Sequence, residues 1–144
     1  MKKSMCLMMM VSAMMTAPMA EAADRDTPER SGDFVQLTAG AAIPAGNMVG
    51  VWTNGLAYSA SDTLAGQVIL GRCEKAAASG ASVLVKRGVF AWVNGAAFVA
   101  KDIGSTAYVG NGYTLTTAAI ATNDIAAGKI YDCDTNVVWL KIGN

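Results

Sequence analysis

Chemistry in a protein needs side chains that move protons, attack carbonyls or hold ions, and this sequence carries few of them. There is no histidine among its 144 residues. That removes Ser-His-Asp and Cys-His nucleophile systems, His-ligated zinc and histidine acid–base catalysis. The most ion-like pattern is Asp132-x-Asp134-x-Asn136, which opens like a calcium loop. Such a loop requires glycine at its sixth position and a bidentate glutamate at its twelfth. Val137 and Gly143 stand there instead, so a hairpin turn is expected and no metal. Cys73 ends a predicted strand and Cys133 directly follows another. They would bridge in an oxidising compartment and remain small buried side chains in a reducing one. Without a histidine to activate it, neither is expected to be a nucleophile. Lys86-Arg87 beside Gly88 reads as a solvated strand edge that deters aggregation rather than a phosphate site. The nucleotide and hydrolase patterns G-x-x-x-x-G-K, G-x-G-x-x-G and G-x-S-x-G do not occur. Trp52, Trp92 and Trp139 would have to converge to stack on a ligand, and aromatics beside turns more often fill a core or an interface. No catalytic residue, cofactor or metal is expected, and the chain reads as a non-enzyme.

The elements that hold these residues read as β throughout. The chain is 53% hydrophobic and 15% charged, too apolar for intrinsic disorder, although 26 of the apolar residues are alanines. Its length suits one domain with a self-sufficient core. Eleven basic residues balance eleven acidic ones, which argues against a nucleic-acid partner. Short runs rich in Val, Ile, Thr, Tyr and Trp predict strands at Phe34–Thr38, Met48–Trp52, Gln67–Cys73, Ser82–Phe90 and Ala91–Val93. Further strands are predicted at Ala107–Val109, Tyr113–Thr116, Lys129–Asp132 and Val137–Ile142. Asn54-Gly55, Asn94-Gly95 and Asn111-Gly112 are hairpin signals, because a type I′ turn needs positive φ at both central residues. Only Thr116–Ala127 has room for a helix, and its Thr and Asn disfavour one. The expected fold is therefore all-β, a compact small barrel or sandwich of about eight to ten short strands.

One echo runs through the body. Trp52-Thr53-Asn54-Gly55-Leu56-Ala57-Tyr58 resembles Trp92-Val93-Asn94-Gly95-Ala96-Ala97-Phe98, placing aromatics on either side of each Asn-Gly pair. It marks either two hairpins that share a good turn or two related halves of one barrel.

The N-terminus is different in kind. Eight of the nine methionines lie within the first nineteen positions. Lys2 and Lys3, an apolar run, and Ala20-Glu21-Ala22 follow the grammar of a secretory signal peptide. Interrupted by Ser12, Thr16 and Pro18, the run is too short to span a bilayer. Residues 23–32 alternate charges and read as a linker, so the domain is expected over 33–144, behind an arm or leader over 1–32.

A series of motifs runs through the body in a set order, beginning with Ile43-Pro44-Ala45-Gly46-Asn47-Met48-Val49. It continues through Val68-Ile69-Leu70-Gly71-Arg72-Cys73-Glu74-Lys75-Ala76-Ala77-Ala78-Ser79-Gly80 and Ala81–Phe90. Asp102–Val109, Gly128–Asp132 and Val137–Ile142 complete it. In order and spacing these motifs resemble those of small phage capsid decoration, or cement, proteins, a likeness that covers about residues 33–142. The resemblance implies a structural protein on the outside of a virion, with the major capsid protein as partner and a trimer at three-fold or quasi-three-fold positions. On that reading Met5, Met8, Met9, Met10, Met14 and Met15 form an arm that contacts the capsid, since flexible methionines conform to irregular apolar grooves. The competing reading is a periplasmic or secreted β-domain that binds a ligand or cell-surface partner after leader removal. Membrane contact is expected only in that second case.

Replacing Asp132 and Asp134 together with Asn is expected to change unfolding free energy by no more than about 1 kcal/mol. Thermal melts with and without calcium check this. A calcium-dependent rise in Tm that disappears in the double variant would reveal a metal loop.

Overall fold

The structure, a computed structural model, describes residues 33–143. It contains β1 (Phe34–Thr38), β2 (Met48–Val51), β3 (Ala57–Ser59), β4 (Val68–Cys73) and β5 (Ser82–Lys86). After these come β6 (Gly88–Asn94), β7 (Thr106–Val109), β8 (Thr114–Thr116), β9 (Ala126–Cys133) and β10 (Val137–Ile142). One 3-10 turn, Ala100–Asp102, is the sole helical element among the described residues. The fold is all-β, as the strand-rich runs imply.

Two five-stranded units divide these strands. The first is a sheet in the order β1-β5-β4-β2-β3, and the second is a closed barrel in the order β10-β6-β8-β7-β9. Reading the barrel ring from β6 gives β6-β10-β9-β7-β8, which is the first unit's order with each strand advanced by five. Pairing directions agree as well. Within each unit four neighbour pairs are antiparallel, and the first and third strands meet in parallel, through the bridge Ala39–Ala57 in one and the pair Val93–Thr114 in the other. Backbone hydrogen bonds recur position by position. Gly46 N–H donates to the Cys73 carbonyl and Gly104 N–H to Ile130, each at 2.8 Å. Ala39 N–H donates to Ala81 and Asn94 N–H to Asn136, each at 2.9 Å. A register shift follows Val49 in β2 and Ala107 in β7. The chain thus builds one five-stranded motif twice.

This repeat differs from the Asn-Gly echo in the sequence. Asn54-Gly55 closes the β2–β3 hairpin, whose structural counterpart is the β7–β8 hairpin at Asn111-Gly112. Asn94-Gly95 closes no hairpin, because β6 pairs in parallel with β8 and the chain must cross over to reach it. Asn94 instead braces the departing loop, with Oδ1 accepting from Phe98 N–H and Nδ2 donating to the Phe98 carbonyl, both at 2.9 Å. The expected type I′ geometry is also replaced. Trp52 accepts from Gly55 N–H and donates to the Leu56 carbonyl, so Thr53 and Asn54 form the turn while Gly55 alone takes positive φ, 79°. That three-residue loop, a turn followed by a left-handed glycine, is the next most common hairpin closure.

Two other expectations change. The Ser82–Phe90 run is split at Arg87, where the chain passes from β5 in the first unit to β6 in the second. No helix forms over 116–127. Its Thr122 and Asn123 N–H groups donate to the Asp62 carboxylate at 2.6 and 2.9 Å, which removes them from any helical ladder. The three-residue strand β3 was too short to show alternation in the sequence.

Alternation fills two cores. Val83 and Val85 of β5 pack with Ile43, Val49 and Cys73 in the first unit. In the second, Phe90 and Trp92 of β6 pack with Leu115, Ile130, Val138, Leu140 and Ile142. Met48 and Ala60 of the first unit enter the barrel core and join the two. The Arg72 guanidinium also crosses, lying 4.3 Å from the centre of the Phe90 ring.

Strand approach is closest at two matched glycines. A Cβ at Gly71 would overlap the Lys86 carbonyl, and one at Gly128 would overlap the Lys141 carbonyl. Gly71→Ala and Gly128→Ala are each expected to destabilise by about 1–3 kcal/mol, the range for overpacking. Urea unfolding checks whether the two costs match, as their equivalent positions require. Burial pushes the Asp62 carboxyl up, but the donated N–H groups of Thr122 and Asn123 hold it below its ordinary 3.8. A depressed carboxyl stabilises the fold above its unfolded pKa, and that contribution is lost as pH falls through the folded value. The stability advantage of the native protein over Asp62→Asn is therefore expected to shrink as pH drops below 3.8. Urea midpoints measured along a pH series check this.

Candidate interaction surface

The residues singled out in the sequence do not assemble into a reactive site. Asp132, Asp134 and Asn136 lie at the β9–β10 connection, which is the hairpin turn expected there. Asp134 Oδ1 accepts from the N–H groups of Asn136 and Val137, both at 2.8 Å, and thereby shapes the turn. Cys73 and Cys133 are both free thiols and end β4 and β9. Burial pushes the Cys73 thiol up, and burial with the negative Asp132, Asp102 and Asp134 does the same for Cys133. Both are weakened as nucleophiles, since the thiolate is the reactive form. The three tryptophans stay apart. Trp52 meets Tyr58 edge-on at 6.0 Å across the first hairpin, Trp92 is buried in the barrel, and Trp139 faces outward. They form no common stacking set because strand alternation sends Trp92 and Trp139 to opposite faces of the barrel wall. Lys86 does not lie on the strand edge expected for it, because β5 runs between β1 and β4, and its Nζ is 5.6 Å from the Phe34 ring centre. Among the described residues no group of three or more carboxylates and thiols could hold a metal ion. The arm methionines Met5, Met8, Met9, Met10, Met14 and Met15 lie outside the described residues.

What the fold does assemble is a surface. β6, β10 and β9 are adjacent in the barrel, with Val89 opposite Lys141, Ala91 opposite Trp139 and Val93 opposite Val137. Their buried positions alternate with outward ones, so these residues share the outer face. An outer barrel face normally carries polar residues. Here Trp139 is 43% exposed, Val93 48% and Tyr131 64%, with Val89, Ala91 and the half-buried Val137 between them. The ends of the face differ in charge. Lys141 stands opposite Lys129 at one end, Asp132 lies opposite Trp139 in the middle, and Asp134 opens the turn at the other end.

The duplicated motif supplies an internal comparison. The equivalent face of the first unit carries Phe34, Gln36 and Thr38 on β1 and Ser82, Leu84 and Lys86 on β5, a polar mixture. Its charges are used within the chain: Arg72 pairs with Glu74 at 2.6 Å and Lys86 lies over Phe34. The apolar barrel face is therefore not a by-product of the motif.

The sequence contains a signal for this face. Val89-Phe90-Ala91-Trp92-Val93 and Val137-Val138-Trp139-Leu140 are apolar at successive positions, and a strand apolar on both sides wants cover on both. A shallow concavity of ≈ 270 Å³ lies beside the face at the strand ends, lined by Asn94, Phe98, Val99, Cys133 and Asp134. Among the described residues no helix is long and apolar enough to cross a membrane. In comparisons with known proteins, no family model and no curated protein matches this chain.

Trp139→Ser on the outer face is expected to change unfolding free energy by less than about 1 kcal/mol, because the side chain is already 43% exposed. Leu140→Ala, one residue on and fully buried, is expected to cost about 2–5 kcal/mol. Urea unfolding of both variants checks that Trp139 does not serve the core.

Proposed function

We propose that this chain is a structural virion protein that binds the outside of an assembled phage capsid and stabilises the shell. The observation that carries the reading is the unpartnered apolar face on a barrel that is otherwise closed and well packed. A contiguous exposed apolar face on a small domain marks a contact surface. The ordered motifs over residues 33–142, which resemble those of decoration proteins, supply the kind of contact.

The mechanism requires no reaction and no cofactor. A cement protein buries surface across joints between shell subunits, so expansion or rupture must first break those contacts. Contacts of a few kcal/mol each, repeated over many copies, are sufficient for a large effect. The partner is the major capsid protein, and the copies group in threes at three-fold or quasi-three-fold positions. Residues 1–32 act as an arm whose methionines Met5, Met8, Met9, Met10, Met14 and Met15 settle on the shell or on a neighbouring copy.

A second reading rests on a separate observation, the leader-like order of Lys2-Lys3, apolar run and Ala20-Glu21-Ala22. On that reading the protein is exported, and its β-domain binds a ligand or a cell-surface partner in the periplasm or outside the cell.

Purified virions separate the two. The capsid reading expects the chain in particles with residues 1–22 retained by intact mass, density at three-fold sites, and earlier heat rupture of shells stripped of it. Its absence from particles, with a periplasmic form lacking residues 1–22, would overturn that reading in favour of export.

A further inference from the structure

We propose that Asn111-Gly112 is a self-modification site of the native protein, where the Asn111 side chain loses ammonia to the Gly112 backbone nitrogen and leaves an isoaspartate at the joint between the two units. The proposal is independent of what the barrel face contacts. An asparagine followed by glycine is open to this reaction, because no Cβ hinders the approach of the glycine nitrogen to the side-chain carbon Cγ. The chain has three such pairs, at Asn54, Asn94 and Asn111, and the fold treats them differently.

Two of the pairs are restrained. Gly55 N–H donates to the Trp52 carbonyl at 2.9 Å and Gly95 N–H to that of Leu115 at 3.1 Å, which ties the nucleophile to a protein acceptor. Asn54 Nδ2 donates to the Tyr58 hydroxyl at 2.9 Å, and Asn94 Nδ2 to the Phe98 and Asp134 carbonyls at 2.9 and 3.0 Å, which holds the leaving group. In each pair Oδ1 accepts from a single N–H, that of Leu56 or of Phe98.

Asn111 differs on all three counts. Among the described residues neither the Gly112 N–H nor Asn111 Nδ2 has a hydrogen-bond acceptor. A native backbone N–H without a protein acceptor is as a rule one that meets water. Asn111 itself is exposed. Its Oδ1 accepts from the N–H groups of both Tyr113 and Thr114, each at 3.0 Å. Two donors on one carbonyl oxygen are aimed where negative charge develops when a nucleophile adds to Cγ.

The step balances without an oxidant or cofactor. Gly112 N gives its proton to hydroxide and bonds to Asn111 Cγ, and the carbonyl electron pair moves onto Oδ1. As the carbonyl re-forms, the Cγ–Nδ2 bond breaks, and Nδ2 takes a proton from water to leave as ammonia. Water then opens the cyclic imide. Cleavage at Cγ gives aspartate, whereas cleavage at the main-chain carbonyl gives isoaspartate, whose backbone is longer by a carbon.

That added length falls where the units meet. The Gly112 carbonyl accepts from Met48 N–H at 2.6 Å, and Asn47 lies so close over Gly112 that a Cβ there would meet its Nδ2. Met48 in turn enters the barrel core from the first unit. Lengthening the backbone just before Gly112 moves that carbonyl, so a converted chain carries a weakened joint.

Storage of the full chain in mildly alkaline buffer, followed by peptide mass mapping of the three asparagines, tests the proposal. In the native protein Asn111 is expected to convert roughly tenfold faster than Asn54 or Asn94, a modest share of what oxyanion donors contribute in enzymes. In urea the three rates are expected to converge. Fragmentation that distinguishes isoaspartate from aspartate is expected to find it at position 111, with Tm falling as it accumulates. Asn111→Asp keeps the Oδ1 acceptor and carries the product's charge without its longer backbone, so its Tm is expected to stay close to that of fresh protein throughout storage. Native rates at Asn54 or Asn94 that equal the rate at Asn111 would overturn the proposal. So would slower conversion of Asn111 in the native protein than in urea. An unchanged Tm in converted protein, or an equal fall in stored Asn111→Asp, would overturn the placement of the product at the joint.

Discussion

The parallel meeting of the first and third strands in each unit is the constraint on which the rest of this molecule depends. Ala39 meets Ala57 in one unit, and Val93 and Asn94 meet Thr114 and Leu115 in the other. In the second unit this join closes the sheet into a barrel and removes the open edges that invite aggregation, whereas in the first it is a single bridge between the ends of a sheet. In the barrel it also separates inside from outside. Each strand then has one row of side chains in a sealed core and another on a continuous outer wall. A parallel join cannot be made by a tight hairpin, so the chain must leave the first strand through a longer crossover before returning. This is why Asn94 braces a loop where its sequence signals a hairpin, and why Gly40 and Gly95 each donate a hydrogen bond to the third strand of their unit.

Both units share a steric constraint. The fourth strand of each unit passes so close to the fifth that no Cβ fits at Gly71 or Gly128. The interiors are then filled by a few residues of matched size. Val83 and Val85 in the first unit correspond to Val138 and Leu140 in the second, and Cys73 corresponds to Ile130. The barrel has the larger side chains at these places and takes Met48 from its neighbour as well. Interiors of this kind are packed to the density of organic crystals, leaving little tolerance for added volume.

The two units differ most on the outer wall. Both units present the same wall geometry, and only one of them presents it apolar. The first unit spends its outward charges locally, in the Arg72–Glu74 pair and the Lys86–Phe34 contact. The barrel keeps Lys129 and Lys141 at one end of the face, Asp132 directly opposite Trp139, and Asp134 at the turn. A surface with apolar centre and charged rim is the usual anatomy of a protein–protein contact. Nothing in that anatomy depends on a reactive group, which suits a chain whose two described thiols are held protonated by burial and nearby carboxylates.

Local chemistry made much of the fold legible in the sequence. Alternation and β-branched content located nine of the ten strands, because a side chain's face in a strand depends only on its parity. The turn at Asp134 was legible for a similar reason, since an Asx side chain reaches only its immediate neighbours. Tertiary structure alone decided the rest. Whether Asn94-Gly95 turns back or crosses over depends on which strand lies beside β6, and the partner of Asn94 there is Leu115, 21 residues on. The duplication was hidden because equivalent positions share geometry rather than identity: Gly46 and Gly104 keep a residue type, while Cys73 and Ile130 keep only a place in the core. The outer face was hidden for a related reason. Trp139, Val93 and Tyr131 belong to three separate strands, and only the pairing of β10 with both β6 and β9 brings them onto one surface.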